Sequence, residues 1–182
     1  MLLTHSEKND LPFNGTIIDI ESIGDFCRGY CDSREYKDII PTIFGYINNC
    51  ELNILCAKGH NALEELKEKI IKVMPTLRKP LFAFQCDFER GVLFHSYGVI
   101  AEFYGELNTE KFEPKRDAIR LLRIPNYDDP FHDNGYECKK AWLRGDYKGS
   151  MRHNRSCLLK ERDILLKRNH RKPDELKLHH FQ

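Results

Sequence analysis

Apolar positions fall first into short runs and later into helical spacing. Thr16–Glu21 (TIIDIE), Pro41–Asn48 (PTIFGYIN) and Glu51–Ala57 (ELNILCA) are brief and rich in β-branched and aromatic residues. They read as three strands, the last two joined as a hairpin at Asn48-Asn49-Cys50. From Ala62 to Met74, Leu63, Leu66, Ile70 and Val73 or Met74 recur every three to four positions, which predicts a helix capped by Asn61 and stopped by Pro75. Leu81–Cys86 (LFAFQC) is a continuous apolar run of the kind found in buried strands, and Phe88–Val99 after it reads as a helix with Asp87 as its cap. Between residues 101 and 145 the signals are weaker: one helix near Lys115–Arg123, another around Cys138–Arg144, and the turn-rich IPNYDDPFHDNG between them. A closing helix from about Gly149 to Asn169 points Met151, Leu158, Leu159, Leu165 and Leu166 toward a core, and Pro173 marks where it cannot continue.

With the two weaker helices of 101–145 left aside, the order β-β-β-α-β-α-α defines an α/β class. At 182 residues, 41% hydrophobic and 31% charged, the chain suffices for one packed domain, expected over 1–172 with a C-terminal tail at 173–182. Twenty-nine basic residues against twenty-eight acidic ones leave a net charge of +1, so nucleic-acid binding has to rely on a local patch. No stretch approaches the ~20 apolar residues of a membrane span, and MLLTHSEKNDLPF lacks the basic-then-apolar pattern of a secretory signal. Seven cysteines, an odd number without a paired CxxC framework, fit a reduced, cytoplasmic compartment. There is no internal repeat and no low-complexity block.

Candidate chemistry begins at the end of the first predicted strand. Alternation along an extended chain puts Asp19 and Glu21 on one face and Ile18 and Ile20 on the other. Two like charges on one small surface repel unless a cation sits between them, which makes this a metal-site pattern. Glu89 and Asp87 lie in AFQCDFERGVL, where Asp87 doubles as a helix cap and Glu89 as a first-turn acid favoured by the helix dipole.

These segments carry a resemblance. Asp19-Ile20-Glu21 looks like the opening motif of the DEDD (DnaQ-like) exonucleases. Phe88-Glu89 resembles that superfamily's strand-to-helix unit, with Gln85 where His or Asn is common. AWLRGDYKGSMRHNRSCLLKERDILL resembles the C-terminal segment of the YprB-like family of predicted ribonuclease H-like exonucleases, in which a short Leu/Gly element precedes a helix bearing His-Asn-x-x-Asp; the match covers Leu143-Arg144-Gly145 and His153-Asn154-Arg155. The resemblance implies a ribonuclease H-like fold with a central mixed β-sheet flanked by α-helices, and 3'-5' exonuclease activity on single-stranded DNA or RNA. It also implies two Mg2+ or Mn2+ ions, ~3.5–4 Å apart in such sites. Asp19 would bridge them, Glu21 and Glu89 would each bind one, and His153 would position or deprotonate the attacking water.

One departure matters. Cys157 stands where the last aspartate is expected, and Glu161, the next carboxylate on that helical stripe, lies two turns beyond His153, on the order of 12 Å along the axis. The fourth ligand stays open among Cys157, Glu161 and the loop acid Asp146. Lys148, Arg152 and Arg155, with Gln85, are the candidate nucleic-acid contacts, and Lys167, Arg168, Arg171 and Lys172 form a second basic run. Two other functions compete: a catalytically degraded nucleic-acid-binding or scaffold protein, and a zinc module of Cys27, Cys31, Cys50, Cys56 and His60. Against the module, Cys50 and Cys56 fall in or beside apolar strands and read more simply as small buried hydrophobes.

Overall fold

The computed structural model describes residues 1–179. Six strands form one mixed sheet: β1 (Leu2–Lys8), β2 (Thr16–Ile23), β3 (Ile40–Asn48), β4 (Glu51–Ala57), β5 (Leu81–Ala83) and β6 (Phe103–Glu106), in the spatial order β1-β4-β3-β2-β5-β6. Strand β2 is central, antiparallel to β3 and parallel to β5. Being covered on both faces, it buries Ile17, Ile18 and Ile20 together, which accounts for its unbroken apolar start. Because β2 and β5 run in the same direction, their C-terminal ends open at one edge of the sheet, the position where α/β sheets receive ligands. A register shift between Glu21 and Ser22 bends β2 at that edge.

Helices flank the sheet. Helix α1 (Leu63–Val73) and α2 (Cys86–Tyr97) pack on the strands and on each other, while α5 (Tyr147–Arg168) lies along β2, β3 and β4 and receives α3 (Lys115–Leu121) and α4 (Gly135–Leu143). The approach of α5 depends on Gly45, which pairs with Asp19. A Cβ there would stand 2.1 Å from Asn154 Oδ1 and 2.8 Å from the Leu158 side chain, so only glycine lets the helix reach the strand.

Several predicted elements shift. The edge strands β1 and β6 carry no clear alternation, and β1 is recruited by antiparallel pairing along the whole of β4. The predicted strand to Cys86 ends at Ala83, and α2 starts two residues earlier than expected. Asp87 therefore sits inside the first turn and caps nothing; Gln85 occupies the cap position without a side-chain bond. Asn61 is likewise not a cap, since a 3-10 turn at His60–Ala62 leads into α1. At its other end α2 stops at Gly98 in the left-handed region (φ 67°), whose N–H returns to Phe94. Of the apolar residues assigned to the closing helix, Leu158, Leu159 and Leu165 are buried and Leu166 is exposed.

After α5 the chain crosses the β6 edge: Arg171 exchanges backbone hydrogen bonds with Glu106, the Arg171 guanidinium pairs with the Glu106 carboxylate at 2.5 Å, and Ser33 N–H donates to Lys177 O. Among the described residues no helix is long and apolar enough to cross a membrane.

Candidate functional site

At the edge where β2 and β5 end, a cleft of about 240 Å³ is lined by Asp19, Glu21, Gln85, Glu89, Lys115, Asp133, His153 and Cys157, among others. Three carboxylates from two segments meet here, Asp19 and Glu21 of β2 and Glu89 of α2. Asp19 is held from two sides: Asn154 Nδ2 donates to its Oδ2 at 2.7 Å and to its backbone carbonyl at 3.2 Å, and Lys115 Nζ donates to its Oδ1 at 2.9 Å. Burial works to raise the Asp19 pKa, but the Lys115 ammonium outweighs it and the carboxylate is held below its ordinary value. Glu21, one pleat along, is pushed up to about 7, first by burial and then by the charge of Asp19, against the pull of His153. Glu89 is buried, its Oε2 has no hydrogen-bond partner, and burial together with repulsion from Asp19 and Glu161 drives its pKa far up.

Helix α5 supplies the opposite wall. His153 Nδ1 lies 2.7 Å from Asp129 Oδ1, and its Nε2 lies 3.6 Å from Glu21 Oε1 and 3.8 Å from Cys157 Sγ. Asp129 also accepts the backbone N–H groups of Phe131 and Asp133 and the Lys160 ammonium at 2.8 Å. Burial opposes its ionisation, but these donors prevail and keep it an acceptor well below the usual carboxylate range. For His153, burial would lower the pKa, and Cys157, Glu21 and Asp129 together push it up to about 12. The shift favours the protonated ring, and its use as a base requires that proton to leave first. Burial pushes the Cys157 thiol up to about 11.

The reserve candidates separate. Glu161, fully buried, reaches the cluster after all: Lys115 Nζ stands 2.5 Å from it and 2.9 Å from Asp19, so the two acids share one ammonium. The distance along α5 misleads because the helix runs beside β2 and Lys115 spans the gap. Asp146 caps α5 by accepting the N–H of Gly149 and takes no part in the cleft. Asp87 faces a neighbouring cleft with Lys111 at 3.1 Å and Arg90 at 3.8 Å, leaving Glu89 as the acid of this segment in the first cleft. Lys148, Arg152 and Arg155 line a different groove beside Leu3 and His5, and Arg155 is paired with Glu7 at 2.8 Å. Arg168 pairs with Glu113 at 2.7 Å and Arg171 with Glu106, which gives the second basic run a tethering role.

The zinc module is not assembled: Cys27 donates to Asp38, Cys31 and Cys50 are exposed, Cys56 is buried, and among the described residues the grouping of close metal donors is Glu21, His153 and Cys157. Reading the sequence missed Lys115, Asp129 and Lys160. Asp129 falls within the quoted IPNYDDPFHDNG loop; the two lysines had no local signal.

The donor set fits a divalent cation in part. The orphaned Glu89 oxygen and the oxygens of Asp19 and Glu161, already gathered around an ammonium, suit a hard ion such as magnesium or manganese. Glu21, His153 and Cys157 offer oxygen, nitrogen and sulfur, which a pair of hard ions does not call for. Compared with protein-family models, with curated proteins and with solved structures, the chain matches none.

Proposed function

We propose that this protein is a divalent-metal-dependent nuclease of ribonuclease H-like architecture, hydrolysing single-stranded DNA or RNA from the 3' end. The observation that carries the reading is the convergence of Asp19, Glu21 and Glu89 in one cleft at the C-terminal ends of β2 and β5, with His153 facing them. A central mixed strand bearing the acids toward its end agrees with the resemblance drawn from the motifs. Magnesium or manganese, when bound, would lower the pKa of a water and offset phosphate charge. Asp19, Glu21 and Glu89 would hold such ions, and Glu161, which shares the Lys115 ammonium with Asp19, is a further acid beside them. Asn154 orients Asp19 through its two donated hydrogen bonds, and Asp129 fixes the His153 ring so that Nε2 faces the cleft. Once deprotonated, that nitrogen takes the proton of an attacking water; otherwise it donates to a phosphate oxygen.

A second reading, a catalytically degraded nucleic-acid-binding or scaffold protein, draws on one observation. The Lys115 ammonium already occupies the space between Asp19 and Glu161. End-labelled single-stranded DNA and RNA, incubated with magnesium or manganese alongside the Asp19→Asn protein, separate the two. Stepwise shortening by the wild type alone supports the nuclease; intact ends with retained binding support the second reading.

A further inference from the structure

We propose that Glu21, His153 and Cys157 form a site for a single thiophilic divalent cation of the zinc class, distinct in donor chemistry from the hard-ion site of Asp19 and Glu89. The inference does not rest on the nuclease reading, and with this cation bound His153 Nε2 is a ligand instead of the proton acceptor proposed above.

The geometry fits one ion. His153 Nε2 lies 3.6 Å from Glu21 Oε1 and 3.8 Å from Cys157 Sγ, and all three donor atoms fall within 4.8 Å of one another. With zinc bonds of ~2.0–2.3 Å, tetrahedral donors stand roughly 3.3–3.8 Å apart, so small side-chain adjustments close the set. His153 and Cys157 are four residues apart on one face of α5, the spacing by which a helix presents two ligands to one metal. Glu21 comes from β2 opposite them. Three protein donors leave a fourth position open toward the cleft.

The surroundings argue the same way. Asp129, an acceptor only, takes the Nδ1–H of His153 and is itself held by Lys160, so the lone pair of the neutral ring is directed at Glu21 and Cys157. A carboxylate behind a ligating imidazole fixes its tautomer and raises its basicity. Sulfur and imidazole donors select zinc-like ions over magnesium. On binding, the thiol proton of Cys157 and any proton on His153 Nε2 pass to solvent as the metal–sulfur and metal–nitrogen bonds form.

The competing chemistry is a nucleophilic Cys157–His153–Asp129 array. Burial first, with Asp19, disfavours a free thiolate and prevails over the opposing charges of Lys115 and His153, whereas a reactive thiol has its pKa lowered.

Cobalt(II) titration of the purified full-length protein tests the proposal, because thiolate ligation gives a sulfur-to-cobalt charge-transfer band and tetrahedral geometry gives intense visible bands. The expected result is one equivalent bound with both features, displaced by zinc and unaffected by millimolar magnesium. Cys157→Ser abolishes the charge-transfer band, Cys138→Ser leaves it, and Asp129→Asn weakens zinc binding about 10–100-fold. Circular dichroism melting of each variant checks the fold, and Cys138→Ser controls for the other thiol lying against Glu21. No charge-transfer band in the wild type, a band that survives Cys157→Ser, or fast alkylation of Cys157 that zinc does not slow would each overturn the site.

Discussion

His153 and Asp129 lie 24 residues apart in the chain and are joined by a 2.7 Å contact between Nδ1 and a carboxylate that two backbone N–H groups and Lys160 also hold. One ring nitrogen is thereby committed to the interior and the other to the cleft. Asp129→Asn leaves buried Lys160 with Asp133 as its remaining acid, at 2.6 Å. The expected loss is ~2–4 kcal/mol of stability, read by urea unfolding, together with a lower pKa of His153, read by NMR titration. A variant as stable as the wild type with unchanged imidazole titration would remove Asp129 from this role.

Asp19→Asn preserves shape and an acceptor for Lys115 while removing the charge at the centre of the cleft. Divalent-dependent cleavage is expected to vanish while the far-UV spectrum stays native. Retained turnover in the folded variant would refute the nuclease reading.

Lys115 acts as an internal cation between Asp19 and Glu161. Lys115→Met leaves buried carboxylates without their counter-charge, so the metal-free protein is expected to lose about 3–5 kcal/mol. Added manganese should restore most of the lost melting temperature, and manganese affinity by calorimetry should rise. A fall in manganese affinity would show that Lys115 does not compete with the ion.

Glu21 and His153 give the metal-free protein a pH dependence of known sign. The folded pKa of Glu21, about 7, lies above its ordinary 4.5, so its contribution is fully present below pH 4.5 and is lost as pH rises through 7, by roughly 3 kcal/mol. His153 adds the same sign, present below its ordinary 6.5 and lost as pH climbs toward 12. Depressed Asp129 works oppositely, stabilising above its unfolded pKa and failing in acid. The melting temperature should therefore fall from about pH 5 to about pH 8, Glu21→Gln should flatten much of that fall, and a bound divalent cation should flatten it further. A melting temperature that rises over this range would contradict the assignment.

Glu89→Gln and Asp87→Asn should differ in kind. Glu89, pushed toward its neutral form by burial, loses little stability as glutamine but removes an ion-binding oxygen. Asp87→Asn weakens its pairing with Lys111 and Arg90 and leaves manganese affinity alone. Paired calorimetric titrations decide; equal losses of affinity would place both acids in the metal site.

The sequence by itself determined the features that have a local period. Alternation put Asp19 and Glu21 on one face of a predicted strand, and helical spacing put His153, Cys157 and Glu161 on one stripe of α5. Those regularities hold because strand and helix geometry repeats every few residues whatever the rest of the chain does. Only the tertiary structure decided which charges meet. Lys115 reaches Asp19 across 96 residues from α3, and Asn154 reaches it across 135 because Gly45 on β3 lets α5 settle against the sheet. The edge strands β1 and β6 escaped notice for a related reason: a strand partly open to water needs no apolar alternation, and its pairing is supplied by a neighbour that folds elsewhere in the sequence. A charged side chain becomes tolerable in the interior only beside its counter-charge, so the burial of Lys160 and Glu161 and the half-burial of Lys115 are properties of the assembled cleft and of no segment within it.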